Sequence, residues 1–304
     1  MRLPLAALLL TCASHASAQQ PLTLPLSLQL PASTRASGLG NAYVLSAPDA
    51  EAIFYNVALM DDGRGVAGSV SRFGSASQLI TAAGSVPWLR GGLGFGVSSL
   101  SSSASPANVT GSVAPEDRLW VDGEAVASEH VAQVSYARTV FGFRIGGAGK
   151  FIDQRAGDDH SASGAADLGV ARTLGPVTLG FAARNLGPKA DYGDSTFTLP
   201  LTYTAAAATR SRPLGPFDVI LAGSSSWLRG DLRAAGGGVE LSYWPISGRT
   251  FTGRLGYRWI EESDLAPLTI GFGFSSDRIG IDYAVERIEG GDATHRFSLR
   301  LRSQ

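Results

Sequence analysis

The chain has 304 residues, 38 of them glycine, and it combines 44% hydrophobic with only 17% charged residues. Intrinsic disorder requires low hydrophobicity and high charge, so this composition excludes a disordered chain. The single cysteine excludes a disulfide scaffold, and a formal net charge of −1 lacks the basic footprint of a nucleic-acid-binding protein. No run of about 20 apolar residues suggests a membrane-spanning helix. What remains is an all-β chain.

The first residues predict a secretory signal peptide over residues 1–18. Arg2 supplies the positive charge, Leu3 to Leu10 form a short apolar stretch, and Ala16-Ser17-Ala18 is a small-residue cleavage site. The only cysteine, Cys12, lies within this segment. We therefore expect the mature protein to be exported and to need no disulfide.

From residue 63 to residue 304 the sequence alternates between apolar and small or charged residues, the period of a strand with two different faces. Near the end, Phe297 and Leu299 alternate with Arg296, Ser298 and Arg300. The non-apolar face is rich in glycine, serine and threonine and poor in charge, which favours a barrel with lipid outside and a polar lumen. We predict a single transmembrane antiparallel β-barrel of about fourteen strands, at 65–73, 77–87, 91–101, 129–140, 141–153, 163–173, 176–186, 199–211, 217–228, 231–244, 250–260, 267–275, 278–287 and 294–302.

The connections between these strands indicate the outer membrane of a Gram-negative-type bacterium. Links on one side are short, as at Leu89-Arg90, whereas several on the other side are long, including Ser102 to Ser128 and Gln154 to Ala162. Outer-membrane barrels have short periplasmic turns and longer outer loops. Arg229-Gly230 is an exception, since it is short on the long side. The strand ends also carry candidates for an interfacial aromatic girdle: Trp88, Trp227, Trp244 and Trp259.

Residues 19–62 do not alternate, and a fourteen-strand barrel encloses more volume than its own side chains fill. We therefore expect this segment to form a plug in the lumen, with a short helix around Asp49 to Phe54. The segment contains R-A-S-G-L-G-N-A-Y-V and D-A-E-A-I-F-Y-N. The candidate plug residues in these two runs are Arg35, Gly38, Gly40, Asn41, Tyr43, Asp49, Phe54, Tyr55 and Asn56.

These two runs resemble the N-terminal signature of PorV/PorQ-like proteins, relatives of the FadL-type outer-membrane barrels. Later pieces are similar to that family as well, including GFAARNLG over 180–187 and GDATHRFSL over 291–299. The resemblance implies an accessory of type IX protein secretion that binds C-terminal signals of secreted cargo. It equally implies, as the alternative, a FadL-like plugged channel for uptake of hydrophobic small molecules. Fold likeness alone does not decide between them.

Charged residues on the predicted lumen face are the remaining candidates: Arg144, Arg184, Glu240, Arg254, Arg258, Asp282, Glu286, Arg296 and Arg300. They either order the plug and select solutes or simply pair to hold the barrel together. We found no motif of a catalytic nucleophile and no histidine pair with metal-ligand spacing. The sequence thus predicts a non-enzymatic protein without cofactor, metal or nucleic-acid partner, whose partners are membrane lipid and either secreted cargo or a hydrophobic ligand.

Overall fold

The computed structural model describes residues 25–47, 49–62, 65–73, 77–102, 127–157, 159–192, 195–230, 232–261, 265–288 and 293–301. Its strands are β1 Gly65–Phe73, β2 Ser77–Trp88, β3 Gly91–Ser102, β4 Ala127–Val140, β5 Phe143–Ala156, β6 Asp159–Leu174, β7 Val177–Leu186, β8 Ala190–Tyr192, β9 Ser195–Phe197, β10 Thr202–Thr209, β11 Arg212–Leu214, β12 Phe217–Leu228, β13 Arg233–Ile246, β14 Arg249–Ile260, β15 Leu265–Ser275, β16 Ile279–Ile288 and β17 Ala293–Leu301.

Fourteen of these strands form one closed antiparallel barrel. Neighbours in sequence pair throughout, β10 pairs with both β7 and β12, and β1 pairs with β17 to close the wall. The three-residue β11 pairs only with β12, and β8 with β9 form a separate hairpin. The predicted all-β barrel is confirmed. No helix among the described residues is long and apolar enough to cross a membrane.

Side-chain alternation explains the orientation of the wall. Along β17, Phe297 is 52% exposed whereas its neighbour Arg296 is 1% exposed, and the alternation continues to Leu301. The outer surface is therefore apolar and the inner surface polar, as hydrocarbon outside and a polar lumen require. Closure leaves no unpaired strand edge around the barrel.

The two ends of the barrel carry different connections. One end, here the turn end, carries the tight links after β2, β4, β6 and β13, together with the start of β1 and the end of β17. The opposite end, here the loop end, carries the β8–β9 hairpin. The exposed Trp88 and Trp244 lie near the turn end, and Trp227 and Trp259 lie near the loop end. Two of the described tryptophans thus lie near each rim.

Some predicted strand limits are wrong. Phe141 and Gly142 form a turn with φ angles of 49° and 78°, so β5 begins at Phe143 rather than at 141. The long loop predicted over 154–162 is absent, because β5 and β6 extend to Ala156 and Asp159. The strand predicted from 199 begins at Thr202, since Pro200 has no N–H to donate to a sheet. The predicted loop over 103–126 lies outside the described residues.

Residues 25–62, here the N-terminal segment, run inside the barrel. The segment has a 3-10 helix at Leu26–Leu28, one α-helical turn α1 at Thr34–Ser37, and two further 3-10 helices at Ala50–Phe54 and Val57–Asp62. The Ser33 side chain caps α1 by accepting from Ala36 N, and Asp49 caps the helix that follows it. The helix predicted around 49–54 is therefore present in 3-10 form. The buried apolar residues of the N-terminal segment pack with alanines of the wall such as Ala137 and Ala171.

Candidate functional site

The candidate site is the contact between the N-terminal segment and the wall strands β13–β17. Arg35, at the start of the R-A-S-G-L-G-N run, reaches Glu240 of β13 with two bonds: Nη2 lies 2.6 Å from Oε1, and Nε donates to Oε2 at 2.8 Å. Arg254 of β14 donates to the same Oε2 at 2.7 Å. Side chains of all three are at least 92% buried, and two guanidinium groups thus share one carboxylate.

The ion pairs continue along the wall and return to the segment. Arg254 Nη1 donates to Asp282 Oδ1 of β16 at 2.7 Å, and Arg300 Nη2 of β17 lies 2.6 Å from Asp282 Oδ2. Arg300 Nη1 lies 3.4 Å from Asp49 Oδ2 of the segment. Three guanidinium groups therefore alternate with three carboxylates between Arg35 and Asp49. This series of ion pairs carries no net charge, and the residues at its two ends, Arg35 and Asp49, belong to the N-terminal segment.

A second cluster lies beside the first. Arg258 of β14 donates to Glu286 of β16 at 2.6 Å, and Arg296 Nε of β17 lies 3.6 Å from the same carboxylate. Arg296 also donates to the carbonyl of Pro31 at 2.5 Å and to Ser71 at 2.8 Å. This cluster therefore connects the wall to the stretch of the segment that precedes α1.

The remaining two arginine candidates lie on the other half of the wall. Arg184 of β7 donates to the carbonyl of Phe54 at 2.8 Å, so it also contacts the segment. Arg144 lies at the turn end of β5, half-buried and apart from the two clusters. Eight of the nine lumen candidates thus contact the segment or one another.

The two glycines of the first motif allow close approach between the segment and the wall. A Cβ on Gly38 would lie 3.0 Å from the Cα of Gly271 in β15. Gly40 has a φ of 66°, and a Cβ there would collide with the carbonyl of Tyr257. Its N–H donates to Thr269 Oγ1 at 3.0 Å. No other residue type fits these positions without displacement of the backbone.

The aromatic residues of the two motifs form contacts within the N-terminal segment. Tyr43 and Tyr55 stack with ring centroids 5.0 Å apart. Tyr43 donates to Asp49 Oδ1 at 2.8 Å, and Tyr55 donates to Asn41 Oδ1 at 3.2 Å. The Tyr55 hydroxyl also accepts from the N–H of Ser33 at 3.1 Å. The two motifs, separated in sequence, therefore fold together as one unit.

Asn56 joins the segment to the wall between β6 and β7. Its Nδ2 donates to the carbonyl of Val170 at 3.1 Å and to that of Phe181 at 3.3 Å, and its Oδ1 accepts from Ala58 N at 3.1 Å. A Cβ at Gly169 would collide with Asn56 Oδ1. The amide therefore uses both its donor and its acceptor in a space that a glycine leaves open.

Glu51 is a buried acid that sequence analysis left out, although it stands in the D-A-E-A run. It is 1% exposed, and its surroundings hold Asp49, Asp282, Arg300, Arg296, Tyr55 and the Ser33 side chain. Burial, followed by the repulsion from Asp49, raises the pKa of Glu51 to about 8. Protonated Glu51 leaves the adjoining chain of ion pairs neutral.

A polar cluster near the loop end was also missed. Lys150 Nζ of β5 lies 2.7 Å from Asp167 Oδ2 of β6 and donates to Asn185 Oδ1 of β7 at 2.7 Å. Asn185, with a φ of 62°, donates through Nδ2 to the carbonyl of Pro200 at 2.9 Å. Lys150 is six residues from Arg144 on β5 and therefore lies on the same face of the strand, so the alternation pattern could have identified it as lumen-facing. This cluster holds the connection that carries the β8–β9 hairpin.

The hairpin and the start of the segment meet in an apolar cluster at the loop end. Phe197 and Leu199 are each 1% exposed and pack with Val131 and Ile152 of the wall, with Leu28 of the segment against them. Nearby, Glu129 of β4 accepts from Leu26 N at 3.0 Å and from Ser27 N at 2.6 Å. The loop end of the lumen thus combines this apolar cluster with the Lys150 cluster and Glu129, whereas the two arginine clusters lie along β13–β17.

This arrangement binds the N-terminal segment. Among the residues that the structure describes, no group of three His, Cys, Asp or Glu side chains is placed to hold a metal ion. The charged side chains of the two arginine clusters pair with each other, and Arg296 also donates to a backbone carbonyl. The N-terminal segment therefore occupies the lumen, and buried ion pairs hold it there.

Comparisons with known proteins support the fold. No known protein-family model matches the chain, and a search of curated proteins gives no match. Among solved structures, the toluene transporter TodX of Pseudomonas putida is 10% identical with a TM-score of 0.53, over 88% of this chain and 98% of that chain. The monoaromatic hydrocarbon channel CymD is 10% identical with a TM-score of 0.55, over 90% and 97%.

A Pseudomonas aeruginosa FadL homologue is 12% identical with a TM-score of 0.51, over 92% of this chain and 99% of that chain. At these identities the likeness shows the fold alone. The fold is therefore that of the FadL-type outer-membrane barrels, which the predicted resemblance included. The narrower resemblance to PorV/PorQ-like proteins stays a prediction.

Proposed function

We propose that the protein is a plugged outer-membrane channel for hydrophobic small molecules. The observation that carries this proposal is the N-terminal segment inside a closed fourteen-strand barrel, fixed to it by buried ion pairs. Neighbouring structures with this architecture are a toluene transporter and monoaromatic hydrocarbon channels. The neighbours also agree with the prediction of a non-enzymatic protein. Nothing in the comparisons supports a role in type IX secretion.

The distribution of polarity inside the barrel suits an apolar solute. The cluster of Phe197, Leu199, Val131, Ile152 and Leu28 is apolar and buried at the loop end, so we propose that a solute reaches it when the hairpin and the segment move apart. The two arginine clusters on β13–β17 lie on the opposite side of the lumen, where they hold the segment in place. An apolar solute gains free energy on entering such a surface, in proportion to the area it buries. Passage then requires the segment to loosen from the wall.

We further propose the division of the chain and its location. Residues 1–18 are a signal peptide removed on export, residues 19–62 are the plug, and residues 63–304 form the barrel. The barrel lies in the outer membrane with its turn end toward the periplasm, as the short turns there suggest. Its partners are membrane lipid and the transported hydrophobic solute.

The test is uptake by cells that lack their own hydrocarbon channels and express this chain. We expect faster entry of radiolabelled toluene than in cells with an empty vector, and unchanged entry of a hydrophilic dye of similar size. Folding of the barrel is checked by its heat-dependent mobility on a detergent gel. Equal toluene entry with and without the folded barrel would contradict the proposal.

A further inference from the structure

The lipid-facing surface of the barrel has a recess on strands β3–β7. The recess is a shallow, open depression of about 700 Å³, lined mainly by apolar and small side chains. That volume falls in the range of about 300–1,000 Å³ that small-molecule sites occupy. Sheet faces are ordinarily covered by their own side chains, so a recess of this size has a specific cause in the sequence.

The cause is a row of small residues at one level of the wall. Gly149 of β5 pairs with Ala166 of β6, and larger side chains flank them, Val134 of β4 on one side and Leu186 of β7 on the other. A Cβ placed on Gly149 would meet nothing within 4 Å. The floor of the recess is therefore open toward the surroundings of the barrel.

Aromatic side chains form the walls of the recess. Phe151 is 57% exposed and stands opposite Gly164, so its ring rises beside the glycine rather than against another large residue. Phe95, in the same row as Val134 and Gly149, is 49% exposed. The recess is thus an open depression over Gly149, Gly164 and Ala166, bordered by these rings and by Val134 and Leu186.

The position of the recess identifies the solvent that fills it. Asp153, Arg155 and His160 form a polar cluster on the same outer face at the loop end, with His160 Nε2 2.7 Å from Asp153 Oδ2. Asp153 and Arg155 stand two and four residues beyond Phe151 on β5, which places the cluster roughly 7–13 Å along the strand from the recess. The cluster marks the polar interface, and the recess lies below it, at the depth of hydrocarbon.

We propose that this recess binds one acyl chain of an outer-membrane lipid. It is continuous with the surface that already contacts lipid, and a hydrocarbon chain can lie lower on the wall where Gly149, Gly164 and Ala166 carry little or no side chain. The exposed rings of Phe95 and Phe151 border the chain. The proposal rests on the membrane location proposed above, but not on transport, so loss of toluene uptake leaves it unaffected.

The test compares two glycine variants that differ only in place. Gly149→Leu fills the recess, whereas Gly253→Leu adds the same side chain on β14, where a Cβ also meets nothing within 4 Å. Both barrels are purified in mild detergent, checked for heat-dependent mobility, and examined by native mass spectrometry for retained lipid. We expect the wild type and Gly253→Leu to keep one lipid. Gly149→Leu should keep about tenfold less, since excluding about two methylene groups costs that much affinity.

A second measurement locates the chain directly. A phospholipid with a photoreactive group on its acyl chain is added to the barrel in nanodiscs and crosslinked. We expect labels concentrated on peptides with Phe95, Val134 and Phe151, and their loss in Gly149→Leu. Equal lipid retention in both variants, or labels spread evenly around the barrel, would overturn the proposal. Displacement of the label by toluene would overturn it as well, because the recess would then belong to the transported solute.

Discussion

Arg35 and Glu240 are separated by 205 positions in the sequence, yet they form a two-bond ion pair inside the barrel. One partner belongs to the N-terminal segment and the other to the wall. The pair is therefore one of the direct contacts between the wall and the segment, and its removal gives the first test of how the segment is held.

Arg35→Met should release the segment. Loss of one partner leaves the Glu240 carboxylate buried with a single guanidinium, and breaking a buried pair costs about 3–5 kcal/mol. We expect chymotrypsin to cleave within residues 25–62 much faster than in the wild type, while the barrel stays intact on a gel. Arg35→Lys should give an intermediate rate, because lysine replaces the two-bond contact with a point charge. Wild-type cleavage in Arg35→Met would contradict this role.

Glu51 should make docking of the N-terminal segment in the barrel depend on pH. The pKa of this acid is raised from 4.5 to about 8 in the docked segment, so the docked form binds the proton more tightly than the free form. Docking is then most favourable below pH 4.5 and weakens progressively as the pH rises to about 8. We expect the cleavage rate of the segment, divided by that of an unfolded peptide at the same pH, to be higher at pH 8.5 than at pH 5. Glu51→Gln, which cannot ionise, should remove this difference between the two pH values.

Asn56→Asp should loosen the segment between β6 and β7. The substitution keeps the shape but removes the Nδ2 that donates to Val170 and Phe181, and it brings a negative charge toward their carbonyls. An unsatisfied buried group costs about 1–3 kcal/mol. Asn41→Asp is the matched control, since Asn41 accepts from Tyr55 through an oxygen that aspartate retains. Amide hydrogen exchange of residues 49–62 is measured in both variants. Equal exchange in Asn56→Asp and Asn41→Asp would contradict the role of Asn56 in holding the segment to the wall.

Lys150→Met should free the β8–β9 hairpin. The substitution removes the cation from Asp167 and the donor from Asn185, whose side chain holds the carbonyl of Pro200. We expect amide exchange over 195–201 to rise about 100-fold, since local opening becomes roughly 3 kcal/mol easier. Lys189→Met changes the other lysine of the chain, which is exposed, and should leave the exchange unchanged. Similar exchange in both variants would show that the cluster does not hold the hairpin.

The wall was predictable because alternation is a local property. Phe297 and Arg296 reveal two faces within two residues, and the same reading repeated along the chain gives fourteen strands close to the observed limits. The limits were wrong where backbone geometry rather than hydropathy decides them, as at the Phe141-Gly142 turn.

The sequence predicted which charged residues face the lumen, but it did not predict which of them contact the N-terminal segment. Parity placed Glu240 and Arg254 on the lumen face, but no local pattern shows that Arg35 reaches Glu240, because the register around a closed barrel must be known first. Glu51 was overlooked since a buried acid in a short helix looks like an ordinary surface residue in sequence. Its burial arises from the barrel that surrounds it.

The closure of β1 on β17 brings the two ends of the described chain together. Arg35 and Asp49, which precede β1, pair with Glu240 of β13 and Arg300 of β17, and Asp282 of β16 joins this series. The two ends of the chain are therefore tied twice, once by the strand ladder across the seam and once by charges that cross the interior.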